Sequence, residues 1–161
     1  IITIGLQVQE FGWVEKFIQD FTPRLPKDTQ ENALNYNLAH LYFYKGEYSK
    51  VIGQLREVEY PSPVYALGSK LLLLRTYFEL KEDMALDSLI DSFRIYLRRH
   101  RLISRDVKQQ YLNVLRFTKK LAAAAPYDRP GIEKIKAQIE NCKALAVKKW
   151  LLEKVDERLK N

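Results

Sequence analysis

A single cysteine, Cys142, and a single methionine, Met84, stand among 161 residues. One cysteine rules out an internal disulfide and any metal site built from several thiolates. The chain opens "IITIGL", so Ile1 is read as lying inside a longer protein, with any targeting signal upstream. Only two histidines are present, His40 and His100, and neither has a second histidine or cysteine near it in sequence. There is no Gly-rich phosphate loop, no H-E-x-x-H and no G-x-S-x-G. Catalysis is not expected, nor is a metal or a cofactor. The longest apolar run is a few residues, against the roughly 20 that a membrane helix needs. With a reducing environment suggested by the thiol, the expected location is the cytoplasm. Glycine and proline are scarce, six of each.

What is abundant is apolar residues at three- and four-residue intervals, 47% of the chain being hydrophobic and 29% charged. That periodicity predicts helix, and nothing reads as a strand. Punctuation by Gly, Pro and capping residues places about nine helices. "IITIGLQVQ" is the tail of one. Gly12 marks a turn, and "WVEKFIQDF" follows with Trp13, Phe17, Ile18 and Phe21 on one face, ended by Pro23 and Pro26. Asn32–Tyr44 and Tyr48–Val58 flank the turn "KGE". "YPSP" is a break. Val64–Leu80 and Met84–Arg99 flank "KED". Ser104 caps a helix running to about Ala123. Pro130 opens the next, giving Ile132–Lys143 and Ala146–Leu159. Short connections imply antiparallel neighbours, hence stacked helical hairpins.

The spacing Leu38–Ala39–Tyr42–Gly46–Tyr48, followed by Leu55 and Pro63, resembles the tetratricopeptide repeat (TPR). Gly5 and Ala39 hold the small-residue place 34 positions apart, and Tyr42, Tyr77 and Tyr111 recur at 35 and 34. The resemblance covers residues 1–121, with 122–161 as capping helices of the same domain. It departs at the tryptophan place, which holds Asn35 and Lys70, and at the small-residue place of later copies, Leu74 and Lys108. "LLLLRTYFEL…DSLIDSFRIYLRRHRLIS" also resembles the C-terminal end of large bacterial TPR-type proteins.

The resemblance implies a right-handed superhelical solenoid that binds a protein or peptide on its concave face. The first helix of each pair would line that face. The matching places are Tyr36, His40, Phe43 and Tyr44 in one copy, Leu71, Arg75 and Phe78 in the next, and Arg105, Gln109 and Asn113 in the last. The Lys and Asn by which some TPR domains clamp a peptide's terminal carboxylate are replaced here by Tyr36 and His40, which argues against that clamp.

Charge is unevenly spread. Residues 94–120 hold nine Arg or Lys and one acid, Asp106, a formal +8, whereas the whole chain carries +7. Within this stretch Arg94, Arg98, Arg99, Arg101, Arg105 and Lys108 form a basic patch. Such a patch suits an acidic protein segment, an anionic surface or nucleic acid. Tyr96 and Tyr111 interleave with it and are of a type that stacks on bases, but they fall at core spacing, so protein ranks before nucleic acid. A purely structural role, capping further repeats, is the remaining reading.

Overall fold

The computed structural model describes residues 1–56 and 62–161. Among the described residues the chain is all-α, with nine α-helices, a short 3-10 turn and no strand. None of these helices is long and apolar enough to cross a membrane. The chain divides into two compact units, Ile1–Glu82 and Asp83–Asn161.

The first unit holds α1 (Ile2–Gln7), α2 (Phe11–Phe21), the 3-10 turn Thr22–Arg24, α3 (Lys27–Tyr44), α4 (Tyr48–Arg56) and α5 (Pro63–Leu80). Gly12 makes no turn; it lies inside α2, and the reversal comes earlier, at Gln9 in the left-handed region (φ 62°). The helix α3 begins five residues before the expected Asn32. Pro26 precedes it in an extended conformation, where a missing N–H costs nothing, and Gln30 Nε2 donates to the carbonyls of Pro23 and Leu25. The expected end of α4 at Val58 and the first residues of the "YPSP" break lie outside the described residues. Pro63 takes the first position of α5, as its fixed φ favours.

One cap recurs through this unit. The N–H of Glu10 donates to Gly5 O, that of Glu47 to Tyr42 O and that of Glu82 to Tyr77 O, at 2.9, 2.8 and 3.0 Å. In each case the preceding residue (Gln9, Gly46 or Lys81) is left-handed and its N–H donates to the carbonyl three residues back. This is the Schellman arrangement, which satisfies two orphaned helix-end carbonyls. The recurring tyrosines Tyr42 and Tyr77 therefore accept equivalent closing hydrogen bonds.

Consecutive helices pack together, and the odd-numbered ones also pack side by side, α1 with α3 and α3 with α5. Two apolar clusters hold them. Leu6, Val14, Ile18 and Leu41 join α1, α2 and α3, while Ala39, Phe43, Val51, Leu55 and Leu72 join α3, α4 and α5. Gly5 and Ala39 are the points of close approach: a Cβ on Gly5 would meet Val14 Cγ2 at 2.6 Å, and Ala39 is fully buried. On α2 the buried residues are Val14 and Ile18. Trp13, Phe17 and Phe21 instead stack in an outward ladder, rings 5.3 and 4.3 Å apart, which Arg24 continues over Phe21. Trp13 is 49% exposed.

The second unit holds α6 (Asp83–Arg99), α7 (Arg105–Ala123), α8 (Arg129–Asn141) and α9 (Lys148–Lys160). Ser104 caps α7 as expected, accepting from Val107 N. The start of α8 moves up to Arg129 because Asp128 accepts from Gly131 N and so fixes the first turn. Between α8 and α9 the backbone reverses at Val147, left-handed at φ 45° without a glycine. Phe93, Phe117, Leu115, Leu121, Ile139 and Leu151 are fully buried here, and Trp150 nearly so. Each such side chain contributes roughly 1.5–3 kcal/mol of burial free energy.

Candidate functional site

Of the expected binding residues, the structure gathers Tyr36, His40, Phe43 and Arg75 on neighbouring helices α3 and α5. Tyr36 and His40 are one turn apart on α3, and their rings meet edge to face at 4.6 Å. The other edge of Tyr36 meets Tyr65 of α5, centroids 5.3 Å apart and planes at 88°. Its hydroxyl reaches over Gly68, where a Cβ would overlap it. Further along, the Arg75 guanidinium lies 4.4 Å above the Phe43 ring, an attraction between a cation and the electron-rich ring face. Phe43 in turn contacts Tyr44 and Tyr48 at 6.0 and 5.4 Å.

His40 Nε2 is sealed from solvent and makes no hydrogen bond. Burial, and then the positive charge of Arg75, lower its pKa from 6.5 to about 4. The imidazole is neutral at pH 7, so of these two residues only Arg75 carries a positive charge. Leu71 and Phe78 are half-buried on the same helix as Arg75. Tyr44 packs against both apolar clusters.

Arg105, Gln109 and Asn113 belong to the second unit and to a different kind of environment. Arg105 and Gln109 are exposed, but Asn113 is buried. Its Nδ2 donates to Ala144 O at 2.8 Å, and its Oδ1 accepts from Gln109 Nε2 at 3.0 Å. Asn113 is thus committed internally to the α8–α9 connection. Cys142 is half-buried rather than part of the core, 3.5 Å from Asn113 Nδ2.

The basic residues surround the α6–α7 corner. Arg94 lies 3.6 Å from Asp91, and Lys108 is half-buried. Arg98, Arg99, Arg101 and Arg105 are exposed, and no carboxylate among the described residues pairs with them. The two aromatics that could have served as base platforms are engaged within the protein. Tyr96 stacks on His100 at 3.9 Å, and Tyr111 packs against Phe93 at 5.9 Å. The His100 Nδ1–H donates to Tyr96 O at 3.1 Å. Of the carboxylates spaced four apart on α6, Asp87 pairs with Lys119 and Asp91 with Arg94. Among the described residues no three His, Cys, Asp or Glu side chains gather as metal ligands.

Sequence reasoning missed Tyr65 and Gly68. The signal was a glycine inside a helix, which costs about 1 kcal/mol relative to alanine and so calls for a packing reason. Comparison of the chain with family models, with curated proteins and with solved structures finds no match in any of the three.

Proposed function

We propose that this chain is a TPR-like helical-hairpin repeat protein that works without catalysis, as a scaffold holding a peptide or protein on the α3–α5 face. The repeat reading is supported by equivalent caps on α1, α3 and α5 and by the direct packing of those three helices. The observation that carries the binding reading is two pairs on packed helices, Tyr36 edge to face with Tyr65 and Arg75 over the ring of Phe43, whose own ring is buried in the core beneath the guanidinium. Aromatic and arginine side chains supply most of the affinity at protein interfaces. Being already locked, they lose little conformational entropy on binding. Arg75, rather than the neutral His40, would recognise a carboxylate, which favours partners with acidic residues.

Selection of random displayed peptides against the chain tests this. Enriched peptides are expected to carry Asp or Glu beside an apolar residue, and to bind Tyr36→Ala or Arg75→Gln at least about tenfold more weakly, with circular dichroism unchanged. Peptides that bind both variants as tightly as the parent would remove the α3–α5 face from consideration.

A further inference from the structure

The α6–α7 corner carries a combination that the α3–α5 reading does not use. Within eight residues, Arg98, Arg99, Arg101 and Arg105 are exposed and lack a carboxylate partner among the described residues, and Leu102 between them is 89% exposed. This exposure is built in, because the corner is held from both sides. Ahead of Leu102, His100 stacks on Tyr96 and donates to its carbonyl. Behind it, Ile103 is buried and Ser104 caps α7. The backbone that carries the leucine is therefore anchored on both sides, at His100 and at Ile103. Ile95, one turn before Arg98 and Arg99 on α6, adds another apolar side chain, itself half-exposed.

Of the anionic partners that four arginines could meet, the leucine selects one. Single-stranded nucleic acid is held by aromatic platforms on which bases stack, and each tyrosine near the corner is half-buried with a ring partner within the protein. An anionic bilayer matches both features, offering phosphates and carboxylates to the guanidinium groups and an acyl boundary to the apolar apex. We infer that the α6–α7 corner docks on an anionic lipid surface, with Leu102 entering the acyl boundary and Arg98, Arg99, Arg101 and Arg105 engaging the headgroups. One apolar side chain with a basic cluster gives reversible attachment. The inference is independent of the α3–α5 scaffold.

Co-sedimentation of the full chain with vesicles tests it, comparing phosphatidylcholine alone with a mixture containing one-third phosphatidylserine. The mixed vesicles should bind at least about tenfold more tightly, and the gain should fade as salt rises from about 0.1 to 0.5 M. Reversing Arg98, Arg99 and Arg101 to Glu should weaken that binding about a hundredfold or more. Reversing the exposed Lys143, Lys149 and Lys160 should have a far smaller effect. Leu102→Ser should lose about tenfold at unchanged charge, and Leu102→Trp should restore binding. Equal binding to both vesicle types, or none, overturns the inference. So does equal loss from the two triple reversals, or an indifferent Leu102→Ser. Tighter binding to a single-stranded oligonucleotide than to mixed vesicles, sensitive to the same arginines, would overturn it in favour of nucleic acid.

Discussion

In residues 1–82 the ends of α1, α3 and α5 are closed by the backbone itself, through one Schellman cap used three times. In residues 83–161 much of the same task falls to side chains. Arg158 donates to Ala124 O at the end of α7, Lys148 to Glu140 O and Cys142 O at the end of α8, and Arg129 to Leu159 O near the end of α9. Asn113 fixes the connection that has no glycine. Both solutions satisfy carbonyls that a helix leaves without partners. The difference lies in what each tolerates. A backbone cap accepts many sequences and so can recur, whereas a side-chain tether depends on one residue at one place. The first unit accordingly repeats one cap, and the second uses a different tether at each helix end.

The contrast can be tested by breaking each kind of tie. The largest effect is expected from acid on the first unit. Above about pH 7.5 His40 is neutral whether folded or not. As pH falls, the unfolded chain takes up the proton near its ordinary pKa of 6.5, while the folded chain resists until about 4. Stability is therefore lost through that window, by about 3 kcal/mol in all. His40→Gln should remove this slope from urea denaturation measured between those pH values.

Next comes the polar tie of the second unit. Asn113→Ala leaves Ala144 O with only the weak Cys142 Sγ–H donor and Gln109 without its acceptor, and should cost about 2 kcal/mol, read as a lower urea midpoint. Exchange of the α8–α9 amides should quicken with it.

A smaller loss, about 1.5 kcal/mol, is expected of Gly68→Ala, because the Tyr36 hydroxyl occupies the space a Cβ needs and the overpacking outweighs the better helix propensity of alanine. In a Tyr36→Phe background that cost should fall by at least half. If it does not, the hydroxyl is not what the glycine accommodates.

The smallest pair compares two left-handed residues directly. Gly46→Ala (φ 77°) should cost about 1 kcal/mol, and Val147→Gly (φ 45°) should leave thermal stability unchanged or raise it by a few tenths of a kcal/mol. A large loss at Val147→Gly would mean that its half-buried side chain, rather than its backbone, holds the α8–α9 connection.

Much of the helix pattern was legible because Pro63, Gly46 and Ser104 do what their chemistry favours. The turn at Lys81 was legible from "KED", but two other reversals were misplaced because Gln9 and Val147 adopt the left-handed region that glycine ordinarily marks. Gln9 was missed in favour of Gly12, which sits comfortably in a helix. The Tyr36–His40 pair and Arg75 could be placed on neighbouring helices from the repeat spacing alone. Their partners Tyr65 and Gly68 could not, since which α5 residue faces Tyr36 depends on how far the two helices slide along each other. The burial of Asn113 was equally invisible, for nothing in its neighbourhood names Ala144, 31 residues on. The exposure of Leu102 was also concealed, because nothing in the sequence of the short link between Arg99 and Ser104 says that Ile103 is buried while Leu102 is not.

The two tryptophans fall one to each unit, in opposite surroundings: Trp13 half-exposed on its aromatic ladder, Trp150 only 5% exposed. Their emission should differ in colour and in access to a dissolved quencher such as acrylamide. Replacing one or the other by phenylalanine would give a pair of optically silent halves. The intrinsic fluorescence of the remaining ring would then report whether the two units melt together or in turn.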